Sequence, residues 1–353
     1  MRLLDFANDS LWINLTVFAA SAGAVWQAGT RIAGYADAIA RMTGIGHMAV
    51  GLVLLGGVTS LPEIAVSLFS AISHNPVLAV NNLLGGVAMQ KAILAGADAL
   101  IGKDALTVVV SSPALLLQGA LSILMLAVAA AAIAVRDVPV FGIGIWSWIL
   151  LALYAFSIWT LAATEGRRPW RPADPVPQRE PDASGANGDT PGNEPEDSPA
   201  TIIGKTAVAA IVILLAGFLL SQTGDALAKQ TGLGQSFVGA VLLGFSTSLP
   251  ELSTVVSAMR LRQYEMAISD ILGTNLFNVA LIFLIDAAYP GQPVLNEVGN
   301  FSLFVAVLGI VLTVIYLVGL IERRNHTIAR MGIDSLAILA VYAIGLFLLY
   351  RMR

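Results

Sequence analysis

The chain has 353 residues, of which 57% are hydrophobic and only 12% charged, with a net charge of −4 and a mean hydropathy of +0.79. A soluble protein of this length carries about twice that charge fraction, so the composition excludes an ordinary soluble domain. The absence of cysteine excludes disulfides, thiolate metal sites and cysteine nucleophiles, and we expect no nucleic-acid partner.

The apolar residues fall in blocks of about 20, the length that crosses about 30 Å of hydrocarbon. Ten such blocks can be recognised: 11–34, 45–72, 77–100, 107–135, 139–163, 201–224, 234–259, 265–289, 301–321 and 333–350. The first is interpreted as a retained helix and not as a signal peptide, because Asp5 and Asp9 lie where a basic region belongs. The sequence therefore predicts an all-α membrane protein with ten transmembrane helices, whose partner is the lipid bilayer.

The distribution of Lys and Arg predicts the orientation of these helices. If the N-terminus is outside, only Arg2, Arg136, Lys229, Arg351 and Arg353 lie on the outer side, and most other basic residues lie in inner loops or flanks. This asymmetry follows the positive-inside rule. We therefore expect a multi-pass protein of the cell (inner) membrane with both termini outside and the central loop in the cytoplasm.

Residues 165–200 interrupt the hydrophobic pattern. The segment is rich in Pro, Gly, Asp and Glu and has too few apolar residues to form a core. It is predicted to be a disordered cytoplasmic linker between two repeats, residues 1–164 and 201–353.

The two halves repeat each other. When the sequence is shifted by 188 positions, Asp37 to Asp98 aligns with Asp225 to Asp286 without a gap, and roughly a third of the positions are identical. Each half contains five predicted spans, an odd number, so the second half is inserted upside down relative to the first. Such inverted repeats are typical of secondary transporters, whose sites lie at the repeat interface near the membrane midplane.

Each half carries one copy of the same motif in its second span. The copies are Thr59-Ser60-Leu61-Pro62-Glu63 and Thr247-Ser248-Leu249-Pro250-Glu251. A glutamate inside a membrane helix is costly unless its charge is balanced, so it marks a functional site. The prolines cannot donate to a preceding carbonyl, which kinks the helix and frees backbone oxygens, and broken helices are tolerated where they line a cavity.

The third span of each half is predicted to form the facing wall. Residues spaced by four share a helix face, which groups Asn82, Gly86 and Gln90 in the first half and Asp270, Thr274 and Asn278 in the second. Carboxylate, hydroxyl, amide and carbonyl oxygens are the ligands that hard cations such as Ca²⁺ prefer. Helix packing through Ser, Thr and Asn explains single residues of this set, but it does not explain two aligned glutamates.

The paired SLPE motifs, each followed 19 residues later by Asn or Asp and then by Leu-Gly, resemble the alpha repeats of the calcium/cation antiporter superfamily, and within it the sodium/calcium exchangers. The resemblance covers nearly all of the chain except the central loop. It implies a transporter and not an enzyme, with no cofactor, in which inorganic cations are exchanged by alternating access. Ca²⁺ would move one way and Na⁺ or H⁺ the other. The sequence contains no feature that predicts a particular oligomeric state.

The resemblance also implies a set of ligands. They are Glu63, Glu251, Thr59, Ser60, Thr247, Ser248, Thr274, Asn278 and Gln90, with backbone carbonyls from Gly56 and Gly244.

The chain departs from the family pattern at several positions near these ligands. Gly86 lacks the hydroxyl of Thr274, Gln90 replaces a usual Asn, and Asn278 replaces an Asp that many sodium exchangers have. Asp270 is acidic where the family often has Asn, so we include it in the site. Lys91 either pairs with a glutamate, or faces another wall or extends to the membrane interface.

Three other interpretations remain open at the sequence level. Ca²⁺/H⁺ exchange would use the same glutamates. A cation-binding membrane sensor or scaffold without transport is suggested by the altered first repeat. An intramembrane hydrolase using Asp98 and Asp286 as a carboxylate pair would leave the two SLPE motifs unexplained.

Overall fold

The described part of the chain consists almost entirely of helices. The computed structural model describes residues 6, 8–43, 59–101, 104–110, 112–164, 198–323, 325–328 and 330–353. The helices of the first half are α1 (Leu11–Thr43), α2 (Leu61–Ile72), α3 (Pro76–Ala97), α4 (Leu106–Val109), α5 (Pro113–Val135) and α6 (Ile145–Thr164). Those of the second half are α7 (Pro199–Thr231), α8 (Gly234–Phe237), α9 (Gly244–Thr247), α10 (Leu249–Arg260), α11 (Tyr264–Ala288), α12 (Val294–Glu297), α13 (Asn300–Glu322) and α14 (Ile333–Met352).

Eight of the described helices are long and apolar enough to cross a membrane. The segment from α8 to α10 becomes a ninth span if its bent parts are counted together. The remaining predicted span, 45–72, is described only from residue 59 onward, where α2 lies. The prediction of an all-α membrane protein is confirmed, whereas the count of ten helices is not confirmed by the described residues.

The helices recur at the offset seen in the sequence. α1 and α7 both have 33 residues and begin 188 positions apart. α2 and α10, both of 12 residues, have the same separation, as do the starts of α3 and α11. The repeat therefore extends beyond the aligned sequence and includes the first helix of each half.

The contact between α5 and α13 shows that the repeats are inverted. Near the start of α5, a Cβ added at Gly119 would meet Leu317, which lies near the end of α13. Further along, Leu126 meets Gly309, nearer the start of α13. The two helices are repeat equivalents and run antiparallel, so one half is upside down relative to the other.

Two small hairpins were not predicted from the sequence. β1 (Pro139–Val140) pairs with β2 (Ile143–Gly144), and β3 (Thr327–Ile328) pairs with β4 (Met331–Gly332). Phe141 and Gly142, both with positive φ, form the two-residue turn of the first hairpin. The predicted block 139–163 therefore begins too early, because α6 starts at Ile145. The block 107–135 also begins too early, because the short helix α4 precedes α5, which starts at Pro113.

Two buried aspartates join the two halves. Asp98, at the end of α3, accepts hydrogen bonds from Leu106 N (2.7 Å) of its own half and from Gly332 N (2.6 Å) of the second hairpin. Asp286, its repeat equivalent, accepts from Val294 N (2.9 Å) of its own half. It also accepts from Gly144 N (2.8 Å) and Ser147 Oγ (2.6 Å) of the other half. Both carboxylates therefore accept structural hydrogen bonds, and this gives no support to the interpretation of Asp98 and Asp286 as a catalytic pair.

α3 and α11 lie at the centre of the bundle. In α3, 89% of the apolar span is buried, compared with 22% in α1 and α7. The outer helices expose apolar residues at helical spacing, as Val307, Val311, Val314 and Val318 do on α13. This distribution suits a bundle whose exterior contacts lipid and whose centre holds its polar residues.

Candidate cation-binding site

Two helix starts in the bundle centre carry the glutamates. α9 ends at Thr247 and α10 begins at Leu249 after a bend of 44°, with Pro250 in the first turn, where its missing N–H costs no hydrogen bond. Glu251 lies in this first turn. α2 begins in the same way, with Ser60 before it and Pro62 and Glu63 in its first turn. The helix break predicted for the second span is therefore present in the second half. In the first half, the described residues show the same kind of helix start at α2.

Both glutamate side chains are completely buried. Neither carboxylate has a hydrogen-bond partner among the described residues. Thr247 lies beside Glu63, but its hydroxyl donates to Asn82 Oδ1 (3.4 Å). Glu63 and Asp270 both lie close enough to Glu251 for their charges to repel it. Buried charges of one sign require a counter-charge, so the arrangement suits a bound cation.

The third span of each half faces these helix starts, as predicted. Gln90 Nε2 donates to Ser248 Oγ over 3.5 Å. Asn82 Nδ2 donates to Ser67 Oγ (3.2 Å). A Cβ at Gly86 would lie 3.8 Å from both Ser248 Oγ and Asn278 Nδ2. Gly86 therefore lies between the two halves, with room for a small side chain.

Several neutral polar atoms are buried here without hydrogen-bond partners within the described residues. They are Ser60 Oγ, Gln90 Oε1, Thr274 Oγ1 and both amide atoms of Asn275 and Asn278. Buried polar groups are normally hydrogen-bonded, so such a cluster beside two carboxylates indicates a ligand site. Within the described residues, no three His, Cys, Asp or Glu side chains form a metal-binding group. The carboxylate, hydroxyl and amide oxygens named above are nevertheless of the kind that hard cations prefer.

Asp270 is held apart from the neutral cluster. Its Oδ2 accepts a hydrogen bond from Thr254 Oγ1 (2.8 Å), and the same hydroxyl lies 3.0 Å from the carbonyl oxygen of Glu251. The side chain is half-buried, unlike the glutamates. Asp270 thus lies next to Glu251 on the rim of the candidate site and adds a third negative charge to it.

Close backbone packing brings the two halves together at the site. A Cβ at Gly85 would overlap the backbone of Ala240, in the π-helical turn Val238–Leu243, so only glycine fits there. One turn further on, Gly244 lies against the backbone of Gly86. The predicted carbonyl ligand Gly244 therefore lies in the site wall, while its partner Gly56 lies outside the described residues. Thr59 is buried at the start of α2.

Sequence reasoning missed Asn275. It was not included among the ligands, although its amide is buried and without a partner in the described chain. Its position directly after the predicted ligand Thr274 was the signal that could have identified it. Lys91 is also completely buried, and no hydrogen bond or ion pair to a described residue involves its Nζ. Pairing of Lys91 with Glu63 or Glu251 is therefore not observed.

Comparison with known proteins adds independent information. The model of the family "Sodium/calcium exchanger protein" matches residues 13–163 and 202–351. "Inner membrane protein YrbG" of Escherichia coli is 24% identical over 258 residues, covering 73% of this chain and 74% of YrbG. "Putative antiporter CaxA" of Alkalimonas amylolytica is 26% identical over 281 residues, covering 76% of this chain and 81% of CaxA.

Two solved exchanger structures share the fold. The sodium-calcium exchanger NCX_Mj superposes with a TM-score of 0.59 at 17% identity, covering 95% of this chain and 98% of its own. The H⁺/Ca²⁺ exchanger CAX superposes with a TM-score of 0.68 at 14% identity, covering 96% and 85%. At these identities the likeness concerns the fold alone, whereas the family model matches most of both halves. The resemblance inferred from the SLPE motifs is confirmed: this chain is a multi-pass membrane protein that belongs to the sodium/calcium exchanger family.

Proposed function

We propose that this protein is a secondary antiporter that exchanges Ca²⁺ for Na⁺ by alternating access, with Glu63 and Glu251 as its principal cation ligands. The observation that carries the proposal is the pair of buried carboxylates without hydrogen-bond partners among the described residues, supplied by equivalent helix starts of two inverted repeats. Ser60, Thr274, Asn278 and Gln90 provide neutral oxygens around them. Thr59, Thr247, Ser248 and the carbonyls of Gly56 and Gly244 complete the proposed ligand set.

The charge of the site agrees with this exchange. Glu63 and Glu251 together supply −2, which balances one Ca²⁺ or two monovalent ions. Asp270 lies close enough to Glu251 to interact with it, so it raises the negative charge to −3 and allows a third Na⁺. Exchange of three Na⁺ for one Ca²⁺ moves net charge, so we expect transport to depend on the membrane potential.

The neutral ligands favour Na⁺ over H⁺ as the coupling ion. A proton needs only a carboxylate, whereas a dehydrated Na⁺ requires several oxygens. The buried oxygens of Ser60, Thr274 and Asn278, which have no partner among the described residues, can supply them. Ca²⁺/H⁺ exchange is the second candidate, because two buried carboxylates that repel each other can also be neutralised by protons.

The proposed topology follows from the sequence. Residues 1–164 and 201–353 form the two exchanger repeats, and residues 165–200 form a cytoplasmic linker, with both termini outside. Because the chain has no cysteine, single cysteines can be introduced without background. The linker variant Ser184→Cys should react with a membrane-impermeant maleimide only after the cells are opened.

Flux measurements distinguish the candidates. The purified protein is reconstituted into liposomes, and ⁴⁵Ca²⁺ uptake is followed under an outward Na⁺ gradient or an outward H⁺ gradient, with the membrane potential clamped by K⁺ and valinomycin. We expect uptake driven by Na⁺ that changes with the clamped potential. Uptake driven only by H⁺ would assign the second candidate.

Binding without flux is the third outcome. If ⁴⁵Ca²⁺ binds to the purified protein but no gradient drives uptake, the protein is a cation-binding sensor or scaffold and the proposal is wrong. The double variant Glu63→Gln/Glu251→Gln serves as the control, since it should remove both binding and flux.

A further inference from the structure

A cavity outside the candidate cation site lies between α1 and α7. Its volume is about 510 Å³, which falls in the range of about 300–1,000 Å³ that small-molecule sites occupy. One wall comes from residues 24–35 of α1 and the other from residues 201–212 of α7. The cavity therefore lies beside the end of α7 that follows the linker.

The end of the cavity nearest the linker is positively charged. Arg31 and Lys205 line it from opposite helices, beside the hydroxyl groups of Tyr35 and Thr201. Thr201 lies in the first turn of the 33-residue α7, whose N-terminus adds a partial positive charge. None of the described residues that line the cavity is acidic. The chemistry of this end selects an anion with oxygen acceptors.

The opposite end of the cavity is uncharged and mostly apolar. Ala24 and Ala28 of α1 line it together with Val208 and Val212 of α7, and Gln27 is its one polar side chain among the described residues. From Thr201 to Val212 the helix rises about 16 Å, at 1.5 Å per residue. This is about half of the 30 Å hydrocarbon thickness, so the cavity extends through about one leaflet.

We propose that this cavity binds an anionic phospholipid of the leaflet on the linker side. The phosphate lies between Arg31 and Lys205, and an acyl chain lies along the apolar wall of α1 and α7. Basic pockets between transmembrane helices bind acidic headgroups in this way. A soluble phosphate compound would use the basic end only and would leave the apolar end in contact with bulk lipid.

The same segment of α1 contacts the candidate cation site. Gly29, two residues before Arg31, packs so closely against Pro250 that a Cβ there would overlap the proline ring. Pro250 directly precedes Glu251 in the first turn of α10. A lipid in the cavity therefore contacts the same helix that packs against the SLPE motif.

Lipid binding can be measured without any transport assay. The full-length protein is delipidated in a neutral detergent, and native mass spectrometry counts bound phosphatidylglycerol and phosphatidylcholine with identical acyl chains. We expect the wild-type protein to prefer phosphatidylglycerol by about tenfold or more, because two cations face one phosphate. The double variant Arg31→Gln/Lys205→Gln should lose this preference.

A matched control removes the same charge elsewhere. Arg260 and Arg262 are exposed at the end of α10, so Arg260→Gln/Arg262→Gln should keep the preference for phosphatidylglycerol. Equal binding of both lipids by the wild-type protein, or a preference that survives in the Arg31/Lys205 variant, overturns the proposal. So does displacement of the lipid by millimolar glycerol phosphate. A preference that arises only after residues 172–198 are replaced by a Gly/Ser linker would assign the cavity to the acidic linker instead.

Discussion

The two halves of the molecule share their helices but differ in the polar side chains that they contribute to the site. Glu63 and Glu251 are equivalent, as are Asp98 and Asp286. By contrast, the third span contributes Asn82, Gly86 and Gln90 in the first half and Asp270, Thr274 and Asn278 in the second. The elements that build the fold and the two proposed carboxylate ligands are therefore duplicated. The third-span positions that would supply a further charge and neutral ligands differ between the halves, and we expect these positions to select the coupling ion.

The shared glutamates give the largest expected effect. Glu63→Gln or Glu251→Gln removes half of the charge that the two glutamates supply, and leaving a buried charge uncompensated costs about 3–5 kcal/mol. We expect Ca²⁺ exchange to fall by about 100-fold or more in either variant, measured as ⁴⁵Ca²⁺ uptake into proteoliposomes. Glu265→Gln, an exposed residue at the start of α11, should exchange normally. Wild-type exchange by one glutamate variant would show that the halves do not contribute equally.

Substitution of the adjacent glycines Gly85 and Gly86 distinguishes the effect of helix packing from the effect of an added ligand. Gly85→Ala places a methyl group on the backbone of Ala240, so we expect poor folding, seen as a loss of the monodisperse peak in size-exclusion chromatography. A Cβ added at Gly86 would lie 3.8 Å from its nearest neighbours, so Gly86→Ser should fold normally. The serine gives the first half the hydroxyl that Thr274 gives the second, so Ca²⁺ affinity should change within about tenfold. A well-folded Gly85→Ala protein would show that α3 is not packed against Ala240.

The two aspartates test the symmetry of the joint between the halves. Asp286→Ala removes the acceptor of three hydrogen bonds, from Gly144 N, Ser147 Oγ and Val294 N. Each unpaired buried donor costs about 1–3 kcal/mol, so the melting temperature in detergent should fall strongly. Asp98→Ala should have a similar effect at the opposite end of the bundle. Asp104→Ala, which removes an exposed hydrogen bond to Asn325, is the control and should melt within a degree or two of wild type.

Asp270 tests the divergence directly. Asp270→Asn lowers the charge near Glu251 by one and leaves both glutamates in place. We expect Ca²⁺ binding to stay within about threefold, while the Hill coefficient for Na⁺ and the voltage dependence of exchange decrease. The double variant Asp270→Asn/Asn82→Asp moves the charge to the equivalent position of the first half and should restore part of the voltage dependence. Unchanged Na⁺ dependence in Asp270→Asn would exclude this residue from the ion path.

The sequence was sufficient for features that repeat or follow a local pattern. The SLPE motifs, the helix break before Pro250 and the inverted halves all have a periodic or duplicated signal. Contacts between distant residues have no such signal: Asp98 binds Gly332, which lies 234 positions away. The two-residue strands are too short for an alternating pattern, so the first hairpin was read as part of the span 139–163 and the second fell unrecognised between the blocks 301–321 and 333–350. Burial of the Lys91 amine without a partner among the described residues was not predicted either, because an isolated lysine usually extends to the interface.

The smallest expected effect concerns Asp137, in the hairpin loop that Asp286 holds. Burial, and to a smaller extent repulsion from Asp286, raises the pKa of Asp137 above its ordinary value, although Val138 N and Trp146 N donate to its Oδ1. A raised pKa means that the folded protein binds this proton more tightly than the unfolded chain does. Ionised Asp137 therefore destabilises the fold at neutral pH, and this penalty disappears as the pH falls towards the unfolded pKa of about 3.9.

The variant Asp137→Asn tests this argument. It keeps the Oδ1 acceptor without the charge, and its equivalent in the other half, Asn325, is already an amide. We expect the variant to melt about 2 °C higher than wild type at pH 8, with a difference that shrinks towards pH 4. A stabilisation that is the same at both pH values would mean that the gain comes from packing and not from relief of charge between the halves.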